Sequence, residues 1–265
     1  MESSMKCHTT PNTLQINSSK RIGQVIIFVE GAKTESDLIY HIFHKLLNYE
    51  VIQKPTFKDH FMMRAFRSSN FPSSCVYVFN LSSSNIRAVT YDEEFRDQIY
   101  QKLSNNYHIN LKNQPVYYLW DRDPKSNPGI RFERLFNVLD SAQGTSNNYE
   151  NGLLLPSYPC IETYHISNFS PLEFLPTKEH PKAHVKSNKF TTSKISCASL
   201  LHAAYIMHQR LKDCEITDYE PNNFSNTNHQ IYHSEENWYN QHGSYKLLSL
   251  VSIILLDLGI IEEVS

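Results

Sequence analysis

Three acidic residues stand where apolar runs end. Glu30 follows Gln24-Val-Ile-Ile-Phe-Val29, and Asp121 and Asp123 follow Pro115-Val-Tyr-Tyr-Leu-Trp120. Runs of this kind fill strands buried on both faces, and the C-terminal ends of such strands form the edge where open α/β sheets bind ligands. Asp121 and Asp123 are two residues apart at the end of an extended segment, so both carboxylates can point to one side. Carboxylates converging there repel one another unless a hard cation lies between them, and oxygen-only ligands suit Mg²⁺ or Mn²⁺ rather than zinc. The chemistry expected of Glu30, Asp121 and Asp123 is therefore the binding of a hard divalent cation. Arg122, Lys125, Arg131 and Arg134 follow directly and offer either a phosphate-holding patch or a solvated helix face.

Histidines offer a weaker metal story. His41 and His44, His180 and His184, and His229 and His233 have helix-compatible spacings, but none comes with the Glu or Cys of a zincin or a finger, and only His165 lies near the proposed centre. Tyr232, Trp238 and Tyr239, with His233 and His242, can stack on exposed bases or pack a helix; packing is the simpler account.

The elements that must position these groups follow from hydrophobic periodicity. The strand ending at Val29 turns at Glu30-Gly31 into a helix from Lys33 to Tyr49, where Leu38, Ile39, Ile42, Phe43, Leu46 and Leu47 recur at helical spacing and Thr34 or Ser36 can cap the start. Cys75–Phe79 reads as a second strand, 92–103 as a helix, Pro115–Trp120 as a third strand, Arg131–Leu139 as a helix, and Gly152–Leu155 as a fourth strand. This alternation predicts a mostly parallel sheet flanked by helices, a Rossmann-like α/β core over 21–175. Residues 1–20 read as a polar, flexible lead-in. Residues 176–265 read as a helical region packed on the core: a helix over Ser196–Leu211, a polar stretch over Asp218–Gln241, and a buried terminal helix over Leu247–Ile261.

Composition bounds the function class. At 265 residues, 40% hydrophobic and 20% charged, the chain is globular rather than disordered. Its formal net charge of -2 means that a polyanionic partner must meet a local basic patch or a bound cation. Five scattered cysteines with no C-x-x-C pair read as reduced thiols, and the N-terminus lacks a signal-peptide core. Leu247–Ile261 falls short of the ~20 apolar residues a membrane helix needs, so the expectation is a cytoplasmic protein without membrane attachment.

Two motifs carry a family resemblance. Val29-Glu30-Gly31-Ala32-Lys33-Thr34-Glu35 resembles the V-E-G-x-x-[TD]-E signature that opens Toprim domains, and Leu119-Trp120-Asp121-Arg122-Asp123 resembles their D-x-D motif, in the right order. The segment from Pro159 to Phe169 resembles the P-x-x-E-x-W-x-x-x-H-F stretch of RloB-like and OLD-type Toprim proteins, with Tyr164 in place of Trp and Asn168 in place of His. The resemblance covers about residues 22–170. It implies a Mg²⁺-dependent nuclease acting on DNA or RNA, tRNA among them, and serving as a phage-defence effector. It implies Glu30 as catalytic acid or base and metal ligand, Asp121 and Asp123 as metal ligands, and Glu35 and Glu162 as auxiliary acids. Lys33 would contact a phosphate or simply be solvated, and Arg122 and Lys125 would hold substrate phosphate. Nucleic acid is the expected partner, with a homo-oligomer or a defence-system protein as further ones. A non-catalytic Toprim-derived binding or sensing module is the rival reading, and a phosphatase is a second.

Overall fold

In a computed structural model the structure describes residues 5–6, 13–31, 33–58, 61–81, 101, 103–105, 108–109, 114–125, 129–140, 152–171, 181–220, 224–246 and 249–264. Its strands are β1 (Met5–Lys6), β2 (Leu14–Ile16), β3 (Gln24–Val29), β4 (Tyr49–Lys58), β5 (Phe61–Ser68), β6 (Cys75–Leu81), β7 (Val116–Asp121), β8 (Leu153–Ser157), β9 (Asp218–Tyr219) and β10 (Ile261–Glu263). Its α-helices are α1 (Thr34–Tyr40), α2 (Gly129–Asp140), α3 (Glu162–Phe169), α4 (Pro181–Ser187), α5 (Cys197–Asp213), α6 (Ser225–His242) and α7 (Ser252–Asp257). A π-helical stretch, His41–Leu46, prolongs α1.

Six strands form one mixed sheet in the order β4-β5-β6-β3-β7-β8. Strands β6, β3, β7 and β8 run parallel, and β4 and β5 add an antiparallel edge. The alternation of side chains along the parallel strands explains their unbroken apolar runs. From β3 and β7, Val25, Ile27, Val29, Tyr117 and Leu119 face one core with Leu38, Phe43, Leu200 and Ile254. Ile26, Phe28, Tyr118 and Trp120 face the other, with Phe132 and Phe136 of α2 and Tyr232 of α6. Each large apolar side chain so buried contributes about 1.5–3 kcal/mol, which is why these strands tolerate no polar residue until their ends.

Several features differ from the sequence reading, among them helix α6, which replaces most of the polar stretch expected over Asp218–Gln241. The β4–β5 hairpin has no counterpart among the expected elements; register shifts between Val51 and Gln53 and between Gln53 and Thr56 break the alternation that would reveal it. Neither Thr34 nor Ser36 caps α1: Lys33 holds the cap position without a side-chain bond, and Glu35 accepts the Gly31 N–H instead, at 3.2 Å. Residues 14–16, expected in a flexible lead-in, pair antiparallel with β10 and bury Leu14. The expected terminal helix is the six-residue α7, which Gly259 ends with a φ of +63° so that the chain can return as β10. Most of the helix expected over 92–103 lies outside the described residues.

The C-terminal third is joined to the sheet by polar as well as apolar contacts. Asn228 of α6 donates to the Leu154 carbonyl at 2.5 Å, Tyr117 donates to Asp257 at 2.5 Å, and the hydroxyls of Ser157 and Ser249 lie 2.8 Å apart. Helix α5 starts from a reciprocal cap, with Ser199 N–H on Ser196 Oγ at 3.2 Å and Ser196 N–H on Ser199 Oγ at 2.9 Å.

Candidate functional site

Parallel pairing of β3 with β7 brings Glu30 and Asp121 to the same edge of the sheet. Glu30 follows the last residue of β3, Asp121 is the last residue of β7, and the Asp121 N–H donates to Glu30 Oε2 at 3.0 Å. The Asp121 carboxylate is oriented in turn: its Oδ1 accepts the Ile161 N–H at 2.8 Å, just ahead of α3. Asp123 is held by the loop after β8, with its N–H on the Pro159 carbonyl at 2.8 Å and its Oδ1 accepting the Lys125 N–H at 3.1 Å. Glu35 is buried in the first turn of α1. A Cβ at Gly31 would collide with the Glu35 carboxylate, so the absence of a side chain at Gly31 lets the acid sit there.

Electrostatics tie these acids into one group. Burial, followed by the charges of Glu35, Glu30 and Glu162, pushes Asp121 up to about 8 against its bond to Ile161. Burial pushes Glu30 up to about 7, with the Asp121 amide opposing and Glu35 and Asp123 adding to the rise. Glu35 is raised by burial and by Glu162, while the Gly31 amide opposes. The Cys160 thiol beside them is raised by burial and by Glu162 and Asp121. Burial lowers the pKa of His165, whose Nε2 lies 2.9 Å from Thr192 Oγ1.

The sequence reading missed Lys182. This exposed residue of α4 has its pKa raised chiefly by Glu162, with Cys160, Asp121 and Asp123 contributing, and it lowers those of Glu30 and Glu35 in return. No sequence signal marks it, because a lysine in the run His-Pro-Lys-Ala-His has neither periodicity nor motif.

Of the proposed phosphate contacts, Arg122 is placed elsewhere, and this is a correction. Its side chain is 2% exposed, donates from Nε to Glu236 Oε1 at 2.7 Å and from Nη2 to Glu236 Oε2 at 2.5 Å, and lies over the Phe132 ring. A guanidinium so enclosed is part of the core and cannot meet a substrate. Lys125, Lys33 and Arg134 are exposed, and the side chain of Arg131 lies outside the described residues. Other candidate histidines serve the fold: His41 Nε2 meets the Ile195 carbonyl at 2.8 Å, and His44 Nδ1 meets that of Tyr49 at 2.7 Å.

The donor set suits a hard cation in kind. It is made of carboxylate oxygens carrying more negative charge than Lys182 offsets, and Glu162 Oε2 is buried with no hydrogen-bond partner, an acceptor that a cation or its water would satisfy. Among the described residues, however, no three His, Cys, Asp or Glu side chains are gathered as a finished cage. The acids are held near one another by backbone amides. No family model, curated protein or solved structure matches the chain.

Proposed function

We propose that the chain is a cytoplasmic, Mg²⁺- or Mn²⁺-dependent nuclease of the Toprim type, hydrolysing phosphodiester bonds of DNA or RNA and serving in phage defence. The observation that carries this reading is the meeting of Glu30 and Asp121 on adjacent parallel strands, each with its pKa raised toward neutrality by burial and by neighbouring acids. Buried like charges are costly, and a divalent cation is the simplest partner that offsets them. Glu30, Asp121 and Asp123 would hold it, with Glu35 and Glu162 behind them.

When bound, the cation supplies positive charge to the scissile phosphate and lowers the pKa of a coordinated water. The chain's own residues do the rest. Glu30 would be the proton-transferring carboxylate or a ligand; burial raises it to about 7 in the metal-free chain, and a bound cation would draw it back down. The Ile161 and Lys125 amides aim Asp121 and Asp123, and Lys182 adds positive charge where a phosphate would enter. Among the described residues no helix is long and apolar enough to cross a membrane.

The rival, a non-catalytic sensing module, is favoured by the lack of a finished cage among the described residues. Mn²⁺ titration followed by incubation with tRNA, single-stranded DNA and duplex DNA separates the two. Metal binding with cleavage that Asp121→Asn abolishes upholds the nuclease; metal binding without cleavage of any substrate moves the function to binding alone.

A further inference from the structure

A cavity lies apart from the carboxylates, between α1 with its π-helical extension and the β4–β5 hairpin. It has a volume of about 520 Å³ and is lined by Asp37, Tyr40, His44, Val51, Lys54 and Arg64, within the range of small-ligand and nucleotide sites. Its chemistry is mixed in a particular way. Tyr40 and His44 present aromatic rings 4.9 Å apart, with Arg64 and Lys45 at 5.3 and 5.8 Å from the Tyr40 ring centre. The one acid in the lining, Asp37, is already paired with Arg64 at 2.9 Å. Arg64 also donates to the Ser36 carbonyl at 3.3 Å, yet its Nε is buried with no hydrogen-bond partner, a donor that an incoming anion can satisfy after a small rotation. His44 Nδ1 donates to the Tyr49 carbonyl at 2.7 Å, which fixes the orientation of its ring.

The local charge is positive in a chain whose formal net charge is -2. Aromatic faces beside cations are how proteins hold single-stranded nucleic acid, the rings against bases and the cations against phosphates. The cavity lies on another side of α1 from the Glu35 carboxylate, since residues five and nine further along a helix point roughly away from the first. Glu35 belongs to that group, and Tyr40 and His44 follow it on the same helical segment, about one to two and a half turns further on, or ~7–14 Å along the axis. A strand joining the two would have to cross the ~10 Å width of the helix as well as this rise, so at ~3.4 Å per stacked nucleotide the subsite is several nucleotides from a phosphate at the acidic edge.

We propose that this cavity is a nucleotide subsite that holds a base and phosphate of a single-stranded substrate several positions from the bond cleaved. Its ligand class rests on the nuclease reading; its existence as a polynucleotide contact can be tested without cleavage. The probe is a short fluorescein-labelled single-stranded DNA, and its RNA counterpart, bound to the full chain in EDTA across a salt series. Lys54→Glu, at an exposed side chain, should weaken binding ~5-fold or more and flatten the slope of log affinity against log salt by at least ~0.7, the loss of one phosphate contact. Tyr40→Ala should weaken it ~5-fold or more, and Tyr40→Phe should keep most of the affinity. If Tyr40→Ala fails to fold, Lys54→Glu carries the test.

Wild-type affinity and salt slope in Lys54→Glu, or no binding by the wild-type chain, overturns the subsite. Mg²⁺-dependent cleavage of the same oligonucleotides keeps the two claims apart. Cleavage with an unchanged KM in Lys54→Glu overturns the subsite and leaves the nuclease standing. Binding that depends on Lys54 and Tyr40 without any cleavage upholds the subsite and overturns the nuclease.

Discussion

Asp121 and Arg122 are consecutive residues leaving β7, yet the alternation of the strand sends them to opposite faces of the sheet. On one face Asp121 meets Glu30, Glu35 and Glu162, and its pKa rises to about 8. On the other, Arg122 meets Glu236 in a two-bond pair with the Phe132 ring against it; burial lowers the guanidinium's pKa, and Glu236 together with Tyr245 and Tyr232 raises it by more. Both regions bury charge. The second balances it with an ion pair inside the protein; the first gathers acids whose ionisation burial disfavours, which favours a proton or a cation there.

The largest effect expected from breaking this contrast is on the balanced side. Arg122→Met leaves the Glu236 carboxylate without its partner and should cost about 3–5 kcal/mol in urea unfolding. Pairing it with Glu236→Leu should restore much of that loss. If Arg122→Met instead unfolded like wild type and only lost substrate affinity, Arg122 would be a phosphate contact after all and the contrast would collapse.

On the unbalanced side the same kind of change should do the reverse. Asp121→Asn keeps the acceptor for the Ile161 N–H while removing a charge that its neighbours repel. The metal-free variant should therefore be more stable than wild type at pH 8 by at least ~1 kcal/mol, since a tenfold change in proton affinity corresponds to ~1.4 kcal/mol. Cation-dependent cleavage should fall by ~10²-fold or more, and Glu30→Gln should lose ~10²- to 10⁴-fold if that group also moves the proton. A destabilised Asp121→Asn would mean that its charge is balanced in a way the geometry does not provide.

The pH dependence sharpens this further. Glu30 and Asp121 titrate at about 7 and about 8 in the folded chain, against ordinary values of 4.5 and 3.8. Between those limits the folded state binds more protons than the unfolded one. Their contribution to stability is therefore complete at acid pH and is lost as pH rises through about 7 and 8. Thermal unfolding of the metal-free protein should show Tm falling from about pH 5 to about pH 8.5. Saturating Mn²⁺ should flatten that fall, and Asp121→Asn should reduce it. A Tm that rises over this range in metal-free buffer would contradict the assignment.

The smallest effect is expected at Lys182, whose side chain is exposed and screened by solvent. Removing its charge with Lys182→Met should move the pH midpoint of Mn²⁺ binding upward by less than Asp121→Asn weakens the binding itself. Unfolding should be unaffected, because no buried contact is lost.

What was legible in the sequence shares one physical cause. Strands β3, β7 and β8 must be apolar on both faces, so the strands of the parallel core and the carboxylates at their ends could be read from where apolar runs stop, though not the order in which the strands pair. Helix α6 could not. The inner side of Ser225–His242 includes Asn228, Glu235 and Glu236 beside Ile231 and Tyr232, and the polar members are held by the Leu154 carbonyl, by Cys214 and the Lys246 amide, and by Arg122. A hydrophobic pattern cannot announce a face that is buried through hydrogen bonds.

The same limit applied to Arg122, whose position beside a D-x-D motif suggests a phosphate ligand. Its role is decided by a glutamate 114 residues further along the chain. Lys182 is likewise brought to the acidic edge only by the packing of α4 against α3. Residue type and local spacing determined which carboxylates could act together, because strand geometry is local. Which charges are balanced, and by what, was decided by contacts between distant segments, because electrostatic partnership depends on distance in space rather than along the chain.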